Sequence, residues 1–271
     1  MHKLLCSFAL ASALLASGVT FAAVQSNATT LTILSSGGIM GAIRAVAPDY
    51  EKLAGVRLNI VAAPSMGETP QAIPNRLARK EPADVVLMVG SALSKLAEQG
   101  QVDKATQVDL GESFIAMAVR KGAEKPNISD MASFEKTLLQ SRSVAYSDSA
   151  SGVYLSRVLF PRMKLGSEFS NKARMIPAEP VGAVVARGDA QIGFQQLSEL
   201  KPVTGIDIVG LIPDRAQQMT MYSGAIVSGT GHAAQAQELL NYMRSDAAAK
   251  AIENSGLKPV AIRPGSAPSA N

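Results

Sequence analysis

The chain has 271 residues, 26 lysines and arginines against 22 aspartates and glutamates, and a formal net charge of +4. One cysteine, Cys6, and two histidines, His2 and His232, exclude a disulfide framework and a multi-histidine metal site. Tryptophan is absent, and no basic cluster is interleaved with aromatics, which excludes a nucleic-acid surface of the usual kind.

Lys3, the apolar run 4–16 and the small residues around Thr20-Phe21-Ala22 predict an export signal over residues 1–22, cleaved after Ala22. The run is too short to span a bilayer, which takes ~20 apolar residues. No later stretch reads as a membrane span. The mature chain is therefore expected in the periplasm, and Cys6 leaves with the leader, so thiolate chemistry is excluded too. With few aromatics, Ala, Val, Leu and Ile must build the core, which favours helices packed on buried aliphatic strands.

The first elements alternate strand, loop and helix. Residues 31–34 read as a strand, Ser35-Ser36-Gly37-Gly38 as a loop, and 39–53 as a helix with Ile39, Ala42, Ile43, Val46 and Ala47 at helical spacing. Pro48 predicts a kink or early stop. A strand over 56–62, a loop over 64–70 and a helix over 70–78 follow. A strand over 83–89 turns through Gly90-Ser91 into a helix over 92–99, closed by Gly100. Three such units in series imply a parallel sheet.

The strand 114–120 reads as a crossing into a second lobe. A helix over 130–141, a strand over 144–146 and the polar loop 147–152 come next. A helix over 153–163 is interrupted near Pro161. Then come a strand over 173–176, a helix over 181–187 closed by Gly188, a strand over 190–194, and a segment 206–212 leading back to the first lobe. A strand over 219–227 precedes a long helix over 233–254, broken near Ser245-Asp246. Residues 261–271 read as a loose tail.

Four loops share one character: Ser35-Ser36-Gly37-Gly38, Ser65-Met66-Gly67, Gly90-Ser91 and Ser147-Asp148-Ser149-Ala150-Ser151-Gly152. Each follows an aliphatic strand and opens a helix. Ligands of open parallel sheets bind beyond the carboxyl ends of the strands, where N–H groups and the helix dipole favour anions. Ordinary capping by serine is the alternative. Arg76 and Arg79 share a helix face after the second loop, and Arg157 follows the fourth. Each could clamp a carboxylate or simply be solvated. Tyr146 and Tyr154 flank the fourth loop and could equally be core. Gln195 and Gln196 point opposite ways on an extended segment, so one of them reaches a cleft. His232, in the Gly-rich turn 228–232, reads as a solvated residue at a helix start.

This order of elements resembles the type II periplasmic binding proteins, especially the molybdate-binding group, over residues 30–260. The resemblance is carried by Ser35-Ser36, by Glu81-Pro82-Ala83-Asp84-Val85-Val86 and by Gly188-Asp189-Ala190-Gln191-Ile192-Gly193-Phe194. It implies an α/β fold of two lobes, mostly parallel sheets flanked by helices, with a ligand cleft between them. Residues 29–113 and 210–260 would form lobe one, and 114–209 lobe two. The loops 63–71 and 147–154 depart from the molybdate pattern, which argues against a small tetrahedral oxyanion.

The longer strings 35–41, 63–79, 146–157 and 179–200 resemble a family of periplasmic isomerases of this fold that interconvert trans- and cis-aconitate. That resemblance implies an allylic proton shift in an anion cleft, without cofactor or metal. By position, Glu68, Tyr146, Asp148 and Tyr154 are candidates for the base, Glu68 reading equally well as a solvated loop carboxylate. Ser35, Ser36, Gly37, Ser65, Met66, Arg76, Ser91, Ser149, Ser151, Gly152, Arg157 and Gln195 are candidates for holding a tricarboxylate. The alternative is a solute receptor serving an ABC permease, its ligand a tricarboxylate or an oxyanion such as molybdate.

Overall fold

The computed structural model describes residues 28–177 and 179–260. The expected leader, 1–22, and tail, 261–271, lie outside them.

Aliphatic alternation starts the first lobe. β1 (Thr30–Ser35) buries Leu31 and Ile33 on one face and Leu34 on the other. α1 (Gly37–Ala54) buries Ile39, Ala42, Ile43, Val46 and Tyr50 at helical spacing. The early stop expected at Pro48 does not occur, and Tyr50, 2% exposed, anchors the turns beyond it in the core. β2 (Arg57–Ala62), α2 (Ile73–Ala78), β3 (Val85–Val89) and α3 (Gly90–Glu98) follow. β3 is buried at every position, as a strand covered on both faces must be. β4 (Val108–Ser113), not expected from the sequence, is the last strand of this lobe before the crossing.

Only Phe114 separates β4 from β5 (Ile115–Arg120), which belongs to a second sheet. α4 (Met131–Gln140) is capped by Asp130, whose carboxylate accepts the Ser133 N–H at 2.9 Å. After β6 (Val144–Ser147), α5 (Ala150–Tyr154) passes through a π-helical turn, Leu155–Leu159, into α6 (Phe160–Met163). Pro161 lacks an N–H and crowds the carbonyl four residues back, so the expected interruption takes the form of this widened turn and not of a break. α7 (Gly166–Lys172), also not expected, leads to β7 (Ala173–Ile176) and α8 (Val181–Ala186). β8 (Ile192–Gln196), α9 (Leu197–Leu200) and β9 (Ile206–Leu211) complete this lobe. The chain returns through β10 (Thr220–Ile226), α10 (Ala233–Met243), α11 (Asp246–Asn254) and β11 (Lys258–Pro259).

The first sheet runs β11-β4-β10-β3-β1-β2 and the second β7-β6-β8-β5-β9. The expected mostly parallel character holds for one half of each. β2, β1 and β3 are parallel, as are β7, β6 and β8, while β10, β4, β5 and β9 pair antiparallel. In each crossing the departing strand, β4 or β9, runs with the parallel set of its own sheet, and the arriving strand, β5 or β10, runs against that of the other. β9 pairs with β5, so the segment 206–212, expected to lead back to the first lobe, is still an edge of the second sheet. α1, α10 and α11 cover one face of the first sheet, and α2 and α3 the other. In the second sheet, Phe134, Leu138, Leu155 and Leu159 fill one face, and Val181, Val184, Val185 and Leu200 the other.

Candidate functional site

Between the lobes lies a cavity of about 430 Å³. Its wall is made where β1, β2, β3, β6 and β8 end, so the carboxyl ends of both parallel halves face one space.

α1 opens into this space. Ser36 is its N-cap, yet its hydroxyl makes no cap bond and is buried without a partner. The first N–H groups of a helix have no acceptor within it. Gly37 and Gly38 are required by close approach. A Cβ on Gly37 would meet Glu199 Oε1 at 2.7 Å, and one on Gly38 would lie 1.9 Å from the Tyr222 hydroxyl. Ser35, fully buried, supports the turn from beneath.

The β2–α2 loop forms the second wall. Ser65 Oγ accepts the Val89 N–H at 3.0 Å, and Asn75 donates to the Thr69 carbonyl at 2.8 Å, which fixes the loop. Ser65, Met66 and Glu68 line the cavity, Glu68 at an exposed position. From the second lobe, Ser147 Oγ bonds Ser149 Oγ at 2.7 Å and Ser151 Oγ at 3.1 Å. Gly152 packs so tightly that a Cβ there would lie 1.6 Å from the Ser147 carbonyl oxygen. Ser149 and Asp148 reach the cavity, whereas Ser151 and Gly152 shape the loop behind it. Gln195 lines the cavity and accepts the Val181 N–H at 3.0 Å. Gln196 points away and donates to Thr220 Oγ1 at 2.9 Å, as strand alternation requires.

Several expected residues sit elsewhere. Arg76 does not line the cleft, because its guanidinium donates to the Gln71 carbonyl and to Glu81, both at 3.0 Å. Arg79 joins the same carboxylate, and its hydrogen bond is the main reason that Glu81 is held below the usual carboxylate range. Arg157 lies on the exposed side of the π-helical turn, and Ser91 is exposed on α3 outside the cavity. Tyr146 stacks edge-on against Phe160 at 5.8 Å in the second core. Tyr154 donates to the Ala216 carbonyl at 3.1 Å and so ties the return crossing to lobe two. His232 does sit at the start of α10, where its ring meets Asp84 at 3.0 Å.

Three titratable cavity residues, Glu179, Glu199 and Tyr222, were not singled out from the sequence. Glu199, at the third position of α9, lines the cavity with Tyr222 of β10. Glu199 is half-buried as a residue, but its Oε2 is sealed and has no partner. Burial pushes its carboxyl up to about 7, bonds from the Gln195 side chain and Gln196 N–H oppose this, and the Asp148 charge adds to it. Burial, reinforced by the Glu199 charge, raises the Tyr222 phenol well above its ordinary value. Glu179 also lines the cavity and stays ionised beside Arg187, whose hydrogen bonds pull it below the usual range. Among the described lining residues there is no lysine or arginine, so positive potential must come from N–H groups and helix ends. Among the described residues, no cluster of three or more His, Cys, Asp or Glu is placed to hold a metal. No described helix is long and apolar enough to cross a membrane.

Two α/β lobes joined by crossing strands, with a serine- and glycine-lined cleft at the strand ends, define a periplasmic-binding-protein architecture. The chain belongs to the bacterial extracellular solute-binding protein family, whose profile matches residues 31–258. It is 69% identical over 264 residues to an aconitate isomerase from Pseudomonas sp., a match covering 97% of this chain and 100% of that one. In fold it is similar to the periplasmic molybdate-binding protein of Azotobacter vinelandii, with a TM-score of 0.69, 19% identity, and coverage of 86% of this chain and 100% of that one. The sulfate-binding protein of Mycobacterium tuberculosis gives a TM-score of 0.69 and 19% identity, covering 86% and 87% of the two chains.

Proposed function

We propose that this chain interconverts trans- and cis-aconitate in the cleft between its lobes. The observation that carries this reading is its 69% identity, over nearly the whole chain, to the aconitate isomerase of Pseudomonas sp..

The cleft suits the task. A cavity of about 430 Å³ falls within the range that takes a small ligand. Aconitate carries three carboxylates on a three-carbon allyl frame. Moving its double bond requires loss of a proton from the CH₂ and return of a proton at the far alkene carbon. Ser36, Gly37, Ser65, Ser149 and Gln195 hold the carboxylates in this reading, with the unpartnered Ser36 hydroxyl and the start of α1 at the centre. Met66 closes the apolar side. Fixed donors of this kind matter most where charge grows during reaction. Ser35, Ser151 and Gly152 shape these walls from behind. Glu68 stands at the rim as a solvated carboxylate.

The same reading places the protein in the periplasm, after export directed by residues 1–22. A second reading, a receptor delivering a small anion to an ABC permease, is favoured by the family relationship.

Purified mature protein incubated with trans-aconitate, with cis-aconitate followed by chromatography, separates the two. Catalytic turnover supports the isomerase. No turnover, with a thermal shift on adding aconitate, supports the receptor.

A further inference from the structure

Glu199 and Tyr222 come from different lobes and meet at one place, the first turn of α1. Glu199 is the third residue of α9, and its side chain reaches back to the Gln196 N–H, as in a capping box. A cap alone does not account for its position. A capping carboxylate normally faces water, whereas Glu199 Oε2 is sealed without a partner and the other oxygen lies against Gly37. Tyr222 is 3% exposed, and its hydroxyl lies over Gly38. The glycine pair leaves room for both groups at the helix end where an anion would sit.

The remaining titratable groups around the cavity are less suited to carrying a proton. Glu68 and Asp148 are exposed at the rim, and Glu179 is engaged by Arg187. α1 contributes two glycines and β8 one glutamine, Gln195, to the wall, and neither adds a charge. Burial pushes the Glu199 carboxyl toward neutrality, so it can exchange a proton at working pH. Tyr222 keeps its proton and so can donate a hydrogen bond.

We propose that Glu199 carries the migrating proton of the isomerisation, and that Tyr222 donates a hydrogen bond to the substrate carboxylate on which negative charge builds. This assignment rests on the isomerase reading. The ionised Glu199 removes a proton from the CH₂. The electron pair of that C–H bond becomes the new double bond, and the old π pair moves to the far carbon. That carbon takes the proton back from Glu199, which returns to its starting state. No electrons are gained or lost overall, and no co-reactant is consumed.

The test compares the unmodified chain with Glu199→Gln for turnover of trans-aconitate and, by calorimetry, for binding of the saturated analogue propane-1,2,3-tricarboxylate. The expected result is a roughly thousandfold fall in kcat with binding retained. The kcat/KM of the unmodified chain should rise with pH through about 7, the limb set by Glu199. Turnover of Glu199→Gln within about tenfold of the parent overturns the assignment. Should that variant not fold, the pH profile of the unmodified chain decides, and a flat profile through neutrality overturns the assignment. An unmodified chain that binds the analogue without any turnover overturns the isomerase reading itself, and the base with it.

Discussion

The Tyr222 hydroxyl lies directly over Gly38, so close that a Cβ on that glycine would sit 1.9 Å away. The contact joins the returning strand β10 to the first turn of α1. It also makes the cleft floor depend on a missing side chain. Gly38→Ala must push the Tyr222 ring out of a packed core, which costs about 1–3 kcal/mol. The variant should show a lower melting temperature together with reduced turnover of trans-aconitate. A Gly38→Ala protein with the parent's stability and kcat would contradict this geometry.

Glu199 sets a second expectation, on stability against pH. Its carboxyl is raised in the folded chain from an ordinary 4.5 to about 7, so folding disfavours the charged form. The penalty is absent below 4.5, grows as pH rises, and is fully present above 7. At ~1.4 kcal/mol per unit, it approaches about 3 kcal/mol. Glu199→Gln should therefore be more stable than the parent at alkaline pH, with the advantage shrinking toward acid. Denaturant titrations at both ends of this window check the sign.

Asp84 works in the opposite direction and at the opposite end of β3. Burial would raise its carboxyl, but bonds from Thr230, the Thr32 N–H and His232 outweigh burial and hold it below the usual value. Its stabilisation is present above the ordinary carboxylate range and is lost as pH falls through the lowered value. Asp84→Asn should cost about 1–3 kcal/mol in unfolding experiments. Affinity for propane-1,2,3-tricarboxylate should not change, since Asp84 precedes β3 while the cavity lies beyond Val89.

Arg76 offers a negative expectation. Its half-exposed pairing with Glu81 and the Gln71 carbonyl organises the β2–α2 connection without reaching the cavity. Arg76→Ala should cost under about 1 kcal/mol in stability. A large rise in KM with unchanged stability would show that the guanidinium turns into the cleft during turnover.

Much of this arrangement is legible in the amino-acid order. Aliphatic runs ending in Ser and Gly mark β1, β2, β3 and β6, and those ends do line the cavity. The alternation of Gln195 and Gln196 correctly predicts that one of them reaches it. The arginines mislead because a helix position fixes a face but not a partner. Glu81, just past the end of α2, captures both Arg76 and Arg79. β4 and α7 escape because their apolar patterns are short and half exposed. Glu199 and Tyr222 escape for a topological reason, since the return crossing brings β10 beside α1 from nearly two hundred positions away. One local signal existed: Glu199 stands three residues after Gln196 at the end of a buried strand, the spacing of a cap that folds back into the site.

The central claim, an allylic proton shift in this cleft, is tested most directly with trans-aconitate carrying ¹³C at its methylene carbon. At low conversion, the position of the label in the cis-aconitate formed by the purified protein is read by NMR. A proton shift exchanges the two ends of the allyl frame, so the account predicts cis-aconitate labelled at its vinyl CH. Cis product that keeps the label in its methylene group, or no cis product at all, would contradict it.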